Sequence, residues 1–224
     1  MIRQILYGLV ACLSLSRIAA ADCSTLKIDD FAQYSNSVNS LGGYTDDDGS
    51  MASISVSGTS LILTPVPPAD GRLSPSYYYE NLPCVQSVTE AYKAIKFTMK
   101  APAPGSNFTL EIQTRASCSA TAFQSDWQVV RDLTGQAQTV IVPLGGWLGA
   151  NTNLNAITGF NWATWTSPTQ SNGEEDWQLG GIDDYCLVDY LFACYHHGLY
   201  HKIYQPFNFH FDANNKHSKV NHHH

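Results

Sequence analysis

Residues 94–115 read AIKFTMKAPAPGSNFTLEIQTR and contain two runs in which apolar and polar side chains alternate. The apolar positions of the two runs are Ile95, Phe97 and Met99, followed by Phe108, Leu110 and Ile112. A period of two sends successive side chains to opposite faces of a β-strand, so each run predicts a strand with one buried and one solvated face. The Pro- and Gly-containing residues 102–105 predict a turn between the two strands.

Similar short alternating runs recur along most of the chain. They are separated by turn signals such as Asp48-Gly49, Thr134-Gly135 and Gly145-Gly146, and no long face with a period of 3.6 residues interrupts them. About eight to ten short strands at this spacing predict an all-β fold, an antiparallel β-sandwich of jelly-roll type. We expect this domain to span residues 22–188.

Residues 1–21 have the pattern of a secretory signal peptide. Arg3 provides a basic start, residues 5–15 are apolar, and Ala19-Ala20-Ala21 supplies the small residues typical of a cleavage site. The apolar run is shorter than the roughly 18 residues that a membrane-spanning helix needs. We therefore expect a secreted, extracellular protein with no membrane span.

The charge and the histidines restrict the class of function. The chain carries 19 acidic and 12 basic residues, a balance that argues against nucleic acid as a partner. All eight histidines follow Tyr195, so the predicted domain has no histidine for a Ser-His-Asp or Cys-His relay. These features predict a domain that binds a ligand without transforming it.

Residues 189–224 differ in character from the predicted domain, because histidines and aromatics crowd together there without a period of two or 3.6. Three interpretations are open: a metal-binding tail, a partner-binding extension, or an atypical tail that is disordered or poorly packed. We favour the last, since biased segments without a pattern rarely pack.

One of the six cysteines lies in the predicted signal peptide, and five follow it. In an oxidising compartment cysteines pair, so we expect two disulfides. Four cysteines allow three pairings. We favour Cys23 with Cys186 and Cys84 with Cys118, which leaves Cys194 over.

Three short motifs carry a resemblance to a known family. The predicted domain opens with LKIDDF at residues 26–31, continues with NSLGG at 39–43 and closes with IDDYC at 182–186. With these motifs the chain resembles the galactose-binding-like β-jelly rolls, a group that includes many carbohydrate-binding modules and the domains related to complex I intermediate-associated protein 30. It is also similar to small secreted fungal proteins built on this single domain. The resemblance implies a jelly roll and makes sugar binding the expected function.

The resemblance also implies a candidate metal site. In such modules the first and last strands are neighbours, and their loops often hold a structural calcium. This geometry would bring together Asp29, Asp30, Asp183 and Asp184, whose oxygens suit Ca²⁺. The alternative is that these aspartates face water or cap turns. The acidic run at residues 46–50 lacks the spacing of a calcium loop and predicts a solvated turn.

The solvated face of the strand at 107–115 carries Thr109, Glu111, Gln113 and Arg115. We expect Glu111, Gln113 and Arg115 to read sugar hydroxyls, with a plain solvated surface as the alternative. The sequon at Asn107-Phe108-Thr109 predicts N-glycosylation.

Aromatic side chains stack on the flat C–H faces of sugars. Trp127, Trp165 and Tyr77 are our candidates for this role, with core packing as the alternative for each. We expect Trp165 at a rim because a turn-rich segment follows it.

These observations predict a secreted, monomeric, non-catalytic module that binds a cell-wall polysaccharide. One alternative is a structural or interaction protein of the fungal surface, such as an adhesin or effector. Another is a polysaccharide-acting glycosidase, which would need two carboxylates facing one cleft. Glu111 and Asp126 are the candidate pair for that reaction.

Overall fold

A computed structural model describes residues 25–68, 73–147, 149–169 and 175–185. The chain divides into two compact units, Met1–Val188 and Asp189–His224, and every described residue belongs to the first. The predicted signal peptide, Cys23, Cys186, Cys194 and the tail lie outside the described residues. Within the described ranges no helix is long and apolar enough to cross a membrane.

The described residues form thirteen strands and one short 3₁₀ helix, Leu144–Gly146. The strands are β1 (Leu26–Asp29), β2 (Tyr34–Ser35), β3 (Val38–Asn39), β4 (Thr45–Asp46), β5 (Met51–Ser57), β6 (Ser60–Pro65), β7 (Tyr77–Val85), β8 (Ala94–Lys100), β9 (Pro104–Arg115), β10 (Phe123–Thr134), β11 (Gln138–Pro143), β12 (Ile157–Thr166) and β13 (Trp177–Tyr185).

The strands form two antiparallel sheets. The first sheet has the order β11-β8-β13-β6-β5, and β1 also pairs with β13. The second sheet has the order β10-β9-β12-β7-β4, while β2 and β3 form a small separate hairpin. Leu26 on β1 lies opposite Asp184 on β13, so the first and last strands are neighbours as predicted.

The hydrophobic core lies between the inner faces of the two sheets and follows the alternation in the sequence. The six apolar positions of residues 94–115 are all buried there. Phe97 of the first sheet and Trp162 of the second meet edge to face, with ring centroids 5.6 Å apart. Each fully buried large apolar side chain stabilises the fold by roughly 1.5–3 kcal/mol. The predicted all-β sandwich is confirmed.

Trp165 corrects one prediction. It is 1% exposed and packs on Trp177, with ring centroids 5.0 Å apart, so it belongs to the core and not to a rim. Strict alternation from Trp162 would turn residue 165 outward. However, Thr164 has a left-handed φ of 51°, and the register of β12 shifts between Ala163 and Thr166. This bulge reverses the parity and turns the indole inward.

The predicted pairing of Cys84 with Cys118 is confirmed, with the two Cα atoms 5.5 Å apart. Cys84 lies near the end of β7, and Cys118 lies in the loop between β9 and β10. The bridge therefore ties β7 to the loop after β9, and β12 lies between β7 and β9 in the second sheet.

Candidate functional site

The outer face of the second sheet carries a row of planar side chains that crosses four strands. Trp127 on β10 lies opposite Glu111 on β9, and Glu111 lies opposite Asn161 on β12. Asn161 in turn lies opposite Tyr79 on β7. We call these four residues the Trp127 row. Three strand spacings separate its ends, a distance of about 14 Å.

The centre of the row is a carboxylate paired with an amide. Glu111 is only 4% exposed although it lies on an outer face. Asn161 Nδ2 donates a 2.9 Å hydrogen bond to Glu111 Oε2. Asn161 Oδ1 is buried and has no hydrogen-bond partner among the described residues. This arrangement leaves a desolvated acceptor beneath an open surface.

The β10 end of the row is apolar and open. Trp127 is 49% exposed, and Phe123 and Val129 on the same side of β10 are also exposed. An indole in this position offers a flat surface next to the polar pair, which is an arrangement suited to a ligand with both C–H faces and hydroxyls.

Gln113 and Arg115 continue along β9 from Glu111. Gln113 is half-buried and lies opposite Gly159 on β12. A Cβ at Gly159 would lie 2.8 Å from the Glu80 carbonyl oxygen and 3.4 Å from Gln113 Oε1, so glycine is needed here. Arg115 Nη1 donates to the Ala120 carbonyl at 3.1 Å. Part of this guanidinium therefore holds the loop after β9.

The β7 end of the row is a tyrosine cluster. Tyr77 and Tyr79 both donate to the Asp48 carboxylate, at 2.9 Å and 3.1 Å, and their rings stack with centroids 6.2 Å apart. Tyr44 lies 6.1 Å from the Tyr79 ring. Partial burial and the Asp48 carboxylate raise the pKa of Tyr77 to about 12, so its phenol stays protonated. Tyr77 was predicted from the sequence; Tyr44, Tyr79 and Asn161 were missed.

The acidic run at residues 46–50 forms the turn that leads into β5. Asp46 Oδ1 accepts the backbone N–H groups of Asp47 and Asp48, and Asp47 Oδ2 accepts the N–H of Met51 at 2.8 Å. The predicted turn is present, but it is only partly solvated because Asp47 is buried. It places Asp48 beside the tyrosines.

A buried polar network lies beneath the tyrosine cluster, on the inner side of β7. Glu80 accepts hydrogen bonds from the Tyr78 hydroxyl at 2.5 Å and from Asn39 Nδ2 at 3.2 Å. Asn39 Oδ1 accepts the N–H groups of Leu41 and Gly43, which explains the NSLGG motif. Burial, followed by the nearby Asp29 charge, raises the pKa of Glu80 to about 9. The network joins β1 and β3 to β7.

The four aspartates of the predicted calcium site each have a different environment. Asp29 accepts the Phe31 N–H at 2.8 Å and is buried, whereas Asp30 accepts the Ala32 N–H and the Ser40 hydroxyl. Asp183 pairs with Lys96 at 3.5 Å. Both carboxylate oxygens of Asp184 are buried and have no hydrogen-bond partner within the described ranges.

Within the described part of the chain, no group of three or more His, Cys, Asp or Glu side chains is placed to hold a metal ion. The aspartates as placed do not form a coordination set, and calcium stays a prediction.

Asp126 does not share a face with Glu111. It lies opposite Ile112, whose side chain is in the core. Its Oδ2 accepts the Gly149 N–H at 2.7 Å and the Thr152 hydroxyl at 3.1 Å. Asp126 therefore anchors the loop after the 3₁₀ helix, and the two carboxylates do not form the pair considered for a glycosidase.

Asn107 lies on the same face as the Trp127 row. It is half-buried, lies opposite Thr166 on β12, and shares its parity on β9 with Thr109 and Glu111. The sequon hydroxyl of Thr109 accepts a hydrogen bond from Thr164.

No protein-family model matches the chain, and no curated protein matches it significantly. Solved structures match it in fold. The family 30 carbohydrate-binding module of a cellulosomal cellulase of Clostridium thermocellum has a TM-score of 0.50 and 12% identity, and the match covers 74% of this chain and 99% of that chain. The solution structure of CtCBM11 has a TM-score of 0.50 and 13% identity, and the match covers 76% of this chain and 99% of that chain. At this identity the likeness shows the fold alone, and it agrees with the predicted jelly-roll sandwich.

Proposed function

We propose that this protein is a secreted, non-catalytic module that binds a cell-wall polysaccharide on the outer face of its second sheet. The observation that carries the proposal is the Trp127 row. It places an exposed indole, a nearly buried carboxylate and a half-buried amide on one outer face.

The chemistry of the row matches that of a sugar. A sugar ring has an apolar C–H face that packs on an indole, and hydroxyls that need donors and acceptors. Glu111 and Asn161 Oδ1, which has no partner in the described part of the chain, are acceptors in a desolvated position, where a hydrogen bond is electrostatically stronger than in water. A hydroxyl donated to this pair would be held beside the Trp127 ring.

The shape of the row favours a chain over a single sugar. The row crosses four strands over about 14 Å and ends at the Tyr79 ring. The Tyr77 ring stacks on Tyr79. Aromatic groups at both ends with a polar centre suit a ligand with several repeating rings, each of which has an apolar face and an edge of hydroxyls.

Two further observations support the proposal. The structures that share the fold include modules whose names state carbohydrate binding, which is an analogy at the level of the fold. Binding without catalysis is supported by Asp126, whose carboxylate anchors a loop and does not face Glu111.

The test is retention of the full secreted chain on insoluble chitin, β-glucan and cellulose, together with a glycan array. We expect retention on at least one of them, and we expect Trp127→Ala to weaken it by about 30-fold, as for a central aromatic contact. Ile141→Ala, which removes an exposed apolar side chain from the first sheet, is the control and should bind normally. Retention on none of them, with a blank array, would overturn the proposal in favour of an interaction protein.

A parallel series with a chelator tests the calcium prediction for Asp29, Asp30, Asp183 and Asp184. Loss of retention that added Ca²⁺ restores would support a calcium. Retention and thermal stability that both survive chelation would count against it.

A further inference from the structure

The sequon on β9 lies on the surface proposed to bind the polysaccharide. Glu111 lies four positions after Asn107 on β9, which places them about 13 Å apart along the strand. β9 is flanked by β10 and β12 and is not an edge strand. A group attached to Asn107 therefore rises from within the sheet and not from its border.

The side chains on both sides of Asn107 on β9 leave one direction open to an attached group. Ser106 and Phe108 are fully buried, so the inner face of the sheet is filled by the core. A bulky, solvated N-glycan must therefore extend over the outer face.

The outer face of β9 carries only one short side chain between Asn107 and the Trp127 row, and the exposed Val129 lies beside it on β10. Thr109 lies between Asn107 and Glu111, and its neighbour across β12 is Ala163. Both side chains are short, and the hydroxyl of Thr109 accepts a hydrogen bond from Thr164. No tall side chain of β9 separates a glycan on Asn107 from the carboxylate of Glu111.

We propose that an N-linked glycan on Asn107 covers one flank of the Trp127 row and weakens polysaccharide binding there, an inference that rests on the proposed function. The glycan acts by occupying the volume above Thr109, through which one side of a bound chain would pass. Removing the glycan therefore exposes the full width of the face.

The test compares forms of the full chain that differ in this glycan. The wild-type protein from a secretory eukaryotic host is measured before and after an endoglycosidase trims its glycans to one sugar. Asn107→Gln from the same host lacks the sequon, while Thr109→Ser keeps the sequon and is the matched control. Mass spectrometry measures the occupancy of Asn107, and affinity electrophoresis measures binding to soluble β-glucan, chitin oligosaccharides and cellulose oligosaccharides.

We expect the glycosylated wild type and Thr109→Ser to bind about tenfold more weakly than the trimmed protein and Asn107→Gln. If Asn107 carries no glycan, or if all forms bind equally, the inference is wrong while the proposed function stands. If no form binds any of these probes, the proposed function fails and the inference fails with it. The trimmed wild-type protein keeps the result interpretable should Asn107→Gln fold poorly.

Discussion

The outer faces of the two sheets arise from the same alternation of side chains, yet their charged side chains differ in exposure to solvent. On the first sheet Lys96 pairs with Asp183 at 3.5 Å, and both side chains stay partly open to solvent. On the second sheet Glu111 is 4% exposed and bonds to Asn161. Holding a carboxylate out of water has a desolvation cost that an ordinary solvated surface does not carry. This difference is the reason that we propose the second face, and not the first, as the binding face.

The largest expected effect is a difference in the free energy of unfolding between variants of two tryptophans in the second sheet. We expect Trp165→Ala to destabilise the fold by about 3–5 kcal/mol, because it empties a packed site between Phe108 and Trp177. Trp127→Ala should change the free energy of unfolding by less than about 1 kcal/mol, because its ring is half exposed. Urea unfolding followed by circular dichroism measures both values. Equal destabilisation by the two variants would place Trp127 in the core packing and remove it from the proposed binding surface.

Each sheet contains a buried carboxyl with a raised pKa, and the two pKa values differ. Burial, then the charges of Glu90 and Asp183, raises the pKa of Asp184 in the first sheet from 3.8 to about 7. In the second sheet the pKa of Glu80 rises from 4.5 to about 9. Both groups hold their protons in the folded chain at pH values where the unfolded chain releases them. The contribution of these two carboxyls to stability is therefore greatest below their unfolded pKa values, and it is lost as the pH rises through the folded ones.

We expect a loss on the order of a few kcal/mol between acid pH and pH 9, measured by thermal and urea unfolding across the range. Glu80→Gln should reduce the change of the free energy of unfolding with pH up to about pH 9. Asp184→Asn should reduce this change only up to about pH 7. Stability that increases steadily through this range would contradict the protonated state of both carboxyls.

Glu111→Gln tests whether the buried carboxylate of the second face serves the ligand. The variant keeps the shape of the side chain and an oxygen for Asn161 Nδ2, but it removes the charge. We expect binding to weaken by about 1.5–3 kcal/mol, the range for a hydrogen bond to a charged group, with thermal stability unchanged or slightly higher. Isothermal titration with the retained polysaccharide or its oligosaccharides measures the loss. Unchanged affinity would mean that Glu111 is a structural group of the sheet.

The alternating runs along the chain, two of which lie in residues 94–115, were sufficient to predict the sandwich, because a period of two fixes which side chains enter the core. The position of Trp165 was predicted wrongly from the turn signals that follow it, because the bulge at Thr164 requires a left-handed residue and a threonine gives no local signal for one. Local pattern predicts the direction of a side chain only while the strand stays regular.

The sequence predicted the candidate residues that lie on one strand, and it did not predict those that a distant strand contributes. Glu111, Gln113 and Arg115 share one strand, so their common face could be deduced from parity. Asn161 is 50 residues from Glu111 in sequence, and only the pairing of β12 with β9 brings them together. The pairing of strands distant in sequence depends on the packing of the whole sandwich, which no short motif specifies.

The smallest expected effect is that of a substitution on the outer face of the first sheet, where we do not expect the polysaccharide to bind. Lys96→Ala removes the ion pair with Asp183, which lies near the surface, and such pairs contribute about 0–1 kcal/mol to stability. The polysaccharide should bind this variant as it binds the wild type, because the hydrophobic core separates Lys96 from the Trp127 row. The same titration used for Glu111→Gln measures this. Weaker binding by Lys96→Ala than by Glu111→Gln would reverse the comparison, since it would place the ligand on the face where charges are solvated and not on the face where a carboxylate is held out of water.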